Sequence, residues 1–140
     1  MKTRFLIWRL GVACFIAAIP ACGSGGPRLN PVQGTVHYEG NPAEGATVIL
    51  DPVSGSSDFK PTGVVGADGR FTVQTPPHGA GAPGGEYAVL VTWYPSNARG
   101  LGSPKNKLPA KYGDRATTPI PKITVKDGSN NLDPIQLTAK

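Results

Sequence analysis

The body of this chain predicts an all-β fold, and three observations carry that expectation. Short runs of β-branched and aromatic residues alternate in polarity with period two, as half-buried strands do. Turn-forming residues separate the runs every ten or so positions. Nineteen glycines and fifteen prolines in 140 residues leave little room for long helices. Seven runs with hairpin-type connections and no helix between them specify two sheets packed face to face, a seven-stranded β-sandwich over residues 32–138.

In the first run, residues 32–38, Val32, Gly34, Val36 and Tyr38 fall on one face and Gln33, Thr35 and His37 on the other. Glu39-Gly40-Asn41-Pro42 is a turn by composition. Residues 46–50 are apolar enough for a central strand, and residues 51–61 hold too many breakers to pair. Residues 62–66 and 70–75 flank Asp68-Gly69, which accepts positive φ cheaply and marks a hairpin. After a turn-rich loop from Pro76 to Gly85, residues 86–94 form the longest run. Tyr87, Val89, Val91 and Trp93 alternate there with Ala88, Leu90, Thr92 and Tyr94. Residues 95–121 read as a long, irregular, basic loop, with Leu108 and Tyr112 available to pin it to the sandwich. Residues 122–126 make another strand. The last run, residues 132–137, contains Pro134, which has no N–H for a ladder, so an edge position or an interruption is expected. Val48, Phe71, Val89 and Val91 are the expected core.

The N-terminus reads as an export signal. Lys2, Arg4 and Arg9 precede an apolar run over residues 10–19, and small residues follow. That run is shorter than the roughly 20 residues of a membrane span. Residues 1–21 are therefore a signal peptide, and residues 22–31 a Gly/Ser/Pro tether. Ile19-Pro20-Ala21-Cys22 resembles the bacterial lipobox, with Pro20 where Ala or Ser is usual. The resemblance implies lipidation of Cys22 and attachment to the membrane through that lipid, at the outer membrane or the periplasmic face of the inner one. The other reading is ordinary cleavage around Ala21-Cys22-Gly23, which releases a secreted protein. Cys14 lies inside the apolar run and reads as a small hydrophobe there. No cysteine follows Cys22, which excludes a disulfide framework, a thiol nucleophile and a thiolate metal site from the body. With the three signal cations set aside, the net charge of +5 falls to about +2 without a Lys/Arg cluster, so nucleic acid is not an expected partner.

Taken together, Gly34-Thr-Val-His-Tyr38, Gly40-Asn-Pro-Ala-Glu-Gly-Ala-Thr-Val48, Ala67-Asp-Gly-Arg-Phe71 and Pro83-Gly-Gly-Glu-Tyr-Ala-Val89 resemble a carboxypeptidase regulatory-like domain. That family has a transthyretin-like (prealbumin-like) seven-stranded sandwich, and the lipobox beside it resembles small planctomycete-type lipoproteins. The resemblance implies an accessory or adhesive module. The Tyr-Arg-Gly-Ser tail of the hydroxyisourate-hydrolysing relatives is missing, since this chain ends Gln136-Leu-Thr-Ala-Lys140.

The chemistry-bearing residues point the same way. His37 and His78 read as surface histidines, and the acids as turn formers rather than a calcium site. No catalytic constellation, metal motif or phosphate loop is visible, so catalytic residues, metal and cofactor are all expected to be none. The contact candidates are Trp93, Tyr94, Lys105, Lys107, Lys111 and Arg115, aromatics beside a basic loop, suited to an acidic glycan or an envelope protein. The function expected is a lipid-anchored envelope β-sandwich acting as a non-enzymatic binding or structural module. The alternative is an accessory domain docking onto a separate envelope enzyme or secretion assembly.

Overall fold

The computed structural model describes residues 25–53, 58–95 and 105–140. Residues 1–21, read as a signal peptide, and Cys22 lie outside them. The described chain is all-β, with one 3-10 turn, Ala110–Gly113, as its only helical element.

Two sheets enclose one core. The larger is antiparallel throughout and runs, in spatial order, Ile123–Val125, Gly85–Thr92, Thr47–Pro52, Thr62–Val64, Gln74–Thr75 and Gly79–Ala80. The smaller is built around Val32–Tyr38. Arg70–Thr72 and Asn41–Pro42 pair antiparallel along one edge of that strand. Asn130–Asn131 and Ile135–Leu137 pair parallel along the other. Val36 and Leu137 from one sheet and Val48, Leu50, Val89 and Val91 from the other join one apolar cluster with Phe71. The expected core residues Val48, Phe71, Val89 and Val91 are all buried, and a fully buried aliphatic or aromatic side chain contributes about 1.5–3 kcal/mol.

Among the described residues every apolar run from Val32 onward contributes to a strand, but the connections differ from the expected hairpins and short two-residue pairings add further segments. The Asp68-Gly69 turn closes as expected, with Gly69 N–H donating to Gly66 O at 2.9 Å and Gly66 N–H to Arg70 O at 2.8 Å. Beyond it the arms part. Residues 70–72 pair with Val32–Tyr38, and only Gln74 reaches Thr62. Val73 N–H donates to Val32 O at 2.9 Å, so the run changes sheets at that residue. Gly63 permits the crossing, because a Cβ there would stand 2.7 Å from Thr72 O.

The last run is interrupted at Pro134 and occupies an edge, as proline demands, yet it runs parallel to the first strand instead of closing a hairpin. The second run extends to Pro52, two residues into the segment read as a loop, because Asp51 and Pro52 pair with Ala88 and Tyr87. Structure begins within the segment read as tether, where Leu29–Asn30 pairs with Ala82–Pro83 as a separate two-stranded ladder and Asn30 is buried.

Residues 105–121 depart furthest from a solvated loop. Leu108 and Tyr112 sit in the core cluster, and Thr118 Oγ1 donates to Val89 O at 3.1 Å. Leu50 points into the core, so its neighbour Asp51 projects from the opposite face of the same strand. Arg115 reaches it there through Nε and Nη2. The segment therefore clasps the edge of Gly85–Thr92 from both sides.

Candidate functional site

The strands Val32–Tyr38 and Gly85–Thr92 run in the same direction and end beside each other. Tyr38 and Asn41 are paired, so Glu39 and Gly40 form a two-residue hairpin loop. Both have positive φ, 49° and 81°, the backbone of a type I′ turn. Gly40 takes that conformation freely, whereas Glu39 is unusual in it. The Glu39 carboxylate accepts from Ala139 N–H at 2.7 Å, which ties the turn to the C-terminal segment.

Trp93 follows the long strand. Its N–H donates to Asn106 Oδ1 at 2.9 Å, the same oxygen accepts from Leu108 N–H at 3.1 Å, and Trp93 O accepts from Lys107 N–H at 2.8 Å. These bonds hold the half-buried indole edge-on to Tyr38, with centroids 5.8 Å apart and planes at 79°. Lys107 Nζ lies 4.5 Å above the indole centroid in a cation–π contact. Tyr38, Glu39, Asn41, Pro42, Trp93 and Lys107 line an open recess of about 420 Å³.

Of the six contact candidates, Trp93 and Lys107 line this recess, and the exposed Tyr94 and Lys105 flank them in sequence. Among the described residues no carboxylate pairs with Lys105 or Lys107. The other two candidates are engaged elsewhere. Lys111 Nζ donates to the Lys140 carbonyl and lies 5.0 Å from the Tyr112 ring centroid. Arg115 is committed to Asp51. Burial alone would push the Asp51 carboxyl up, but hydrogen bonding from Arg115 and the charges of Arg115 and Lys60 outweigh it and hold the group below the usual carboxylate range. Lys60 Nζ lies 3.2 Å from Oδ1 as a charge contact off the hydrogen-bonding direction. Burial likewise raises the Tyr112 hydroxyl, and its bonds to Thr138 with the nearby Lys111 charge bring it below the ordinary tyrosine value.

Sequence reasoning missed Tyr38, Glu39, Asn41 and Pro42, which read as a strand end and its turn. The available signal was an aromatic side chain directly before a turn that carries Glu where Asn or Gly is favoured. His78 meets the Phe59 ring edge-on at 4.8 Å, and His37 is half-buried beside Gly69. Among the described residues no group of three or more His, Cys, Asp or Glu is arranged to hold a metal ion. Comparison with protein-family models, with curated proteins and with solved structures returned no match.

Proposed function

We propose that this chain is a lipid-anchored β-sandwich of the cell envelope, a non-enzymatic module that presents a binding surface away from the membrane. One observation carries the reading. The described chain enters the domain at Leu29–Asn30, paired with Ala82–Pro83 in a small separate ladder, at the end where Gly85–Thr92 begins. The aromatic and cationic recess lies where that strand ends. Eight residue steps from Gly85 to Trp93 separate the two poles by about 26 Å. A tether from Cys22 thus holds one pole near the bilayer and leaves Tyr38, Trp93 and Lys107 at the other. The carboxypeptidase regulatory-like resemblance belongs to the same reading, as an adhesive or accessory module without chemistry of its own. Its partners are the membrane, through the N-terminal lipid, and an acidic glycan or envelope protein at the far pole.

The anchor is tested in membranes of the expressing cell. Native chain is expected in the membrane fraction with a lipid mass on its N-terminal Cys22, and Cys22→Ser moves it to the soluble or uncleaved pool. A mature chain that begins downstream of Cys22 without lipid would sink the proposal.

A further inference from the structure

We propose that the recess between the Tyr38–Asn41 turn and Trp93 is a sugar site, selective for a pyranose ring that carries a carboxylate. The inference rests on the distal pole being a binding surface and names what it takes. Four features converge on that ligand. Two aromatic rings set edge to face supply apolar area for the C–H face of a sugar. The Asn41 side chain and the Glu39 carboxylate offer a donor and acceptors for ring hydroxyls at the rim. The recess, at about 420 Å³, falls within the range of small-ligand sites. The fourth feature sets the charge preference.

Lys107 covers the indole at 4.5 Å. A sugar that stacks on Trp93 displaces this ammonium and loses its cation–π contact. A neutral ring gives nothing in return, whereas a carboxylate on the ring offers the displaced Lys107 an ion-pair partner. Lys107 therefore acts as a gate that an acidic sugar opens at less cost than a neutral one. The Glu39 carboxylate, with Oε1 tied to the C-terminal segment by Ala139 N–H at 2.7 Å, keeps its charge at the rim and opposes part of this preference, which Lys107 and Lys105 outnumber two to one. Lys105, exposed two residues away, adds to the cationic field.

The test measures binding of glucuronic-acid oligosaccharides and their carboxyl-reduced counterparts to the full chain in detergent, followed by tryptophan fluorescence. Of the two tryptophans Trp8 lies in the segment read as the signal peptide, so Trp93 is the reporter in the processed chain, and a Trp8→Phe background keeps it so in uncleaved variants. The acidic oligomer is expected to bind about five-fold more tightly at low salt, and the gap narrows as salt screens it. Lys107→Gln, with Lys107→Met as a second variant that keeps the aliphatic cover, should erase the preference and strengthen binding of the neutral oligomer. Asn41→Ala should weaken both. A preference that survives both Lys107 substitutions overturns the proposal. So does a Trp93 response to poly-glutamate with none to either oligosaccharide, which assigns the pole to an acidic protein. Cys22→Ser should lose the lipid yet keep the sugar, so the anchor and the sugar site fail separately.

Discussion

Two segments hold the edge of Gly85–Thr92 that faces away from Thr47–Pro52, and they do it by different physics. Over Gly85, Glu86 and Tyr87 the neighbour is Ile123–Val125, a regular antiparallel ladder. Further along, the neighbour is the clasp, residues 105–118, which makes no ladder. It substitutes two buried side chains, Leu108 and Tyr112, a shared amide oxygen on Asn106, and an ion pair that reaches round to Asp51. A ladder spreads stability over backbone bonds that any side chain can make, each worth a net ~1 kcal/mol. The clasp concentrates it in a few residues, so it should be more fragile to point mutation while leaving its outer surface free to vary.

The largest expected effect follows from the buried ring. Tyr112→Ala removes a core side chain together with its hydroxyl bonds to Thr138 and should destabilise by about 3–5 kcal/mol. Ile123→Ala in the ladder, at a half-buried position, should lose only about 1–2 kcal/mol. Equal losses in urea unfolding would erase the distinction between the two segments.

Next comes the ion pair. Arg115→Ala leaves a buried carboxylate with only the exposed Lys60 beside it and should cost about 2 kcal/mol at neutral pH. The folded-state value of Asp51 is lowered, so its stabilisation is fully present above the ordinary value of 3.8 and is lost as pH falls through the folded one. The gap between native chain and variant should be widest at neutral pH and close as pH falls through the Asp51 value of the variant toward the lower one of the native chain. A gap that widens in acid contradicts the pairing.

The smallest effect sharpens the comparison at the clasp's near end. Asn106→Ala frees the N–H groups of Trp93 and Leu108 and should cost about 1 kcal/mol, with a red shift of the Trp93 emission. An unshifted emission would mean that the indole is seated by Tyr38 and Lys107 alone.

The strands were legible because period-two polarity is local: Val32, Val36, Val48, Val89 and Val91 announce the core face wherever they fall. Pro134 announced the interrupted edge for the same reason, since a missing N–H is a property of one residue. The clasp was legible only in its two pins, Leu108 and Tyr112, which are buried in the core cluster; its ion pair was not. Asp51 and Arg115 stand 64 positions apart, and nothing near either specifies the other. Asp51 looked like one more turn-forming acid until the strand carried it to the outer face opposite Arg115. The candidate site was half legible. Trp93 and Lys107 stood out as an aromatic beside cations, but Tyr38 joins them only because two strands from different sheets end together. The sheet switch at Val73 was hidden too, because the Asp68-Gly69 turn promises a hairpin and Gly63 says only that something passes close.

Parallel pairing of Val32–Tyr38 with Asn130–Asn131 and Ile135–Leu137 brings early and late parts of the domain's sequence side by side, with Gln33 Nε2 donating to Asn131 Oδ1 across 98 positions. One edge of the first strand therefore has no ladder partner until the last residues of the domain are in place. Contacts so distant in sequence make folding slow. Under the proposed export, unfolded and N-terminus first, slowness would be useful: the first strand waits for the last, so the sandwich closes only once the whole domain has passed through.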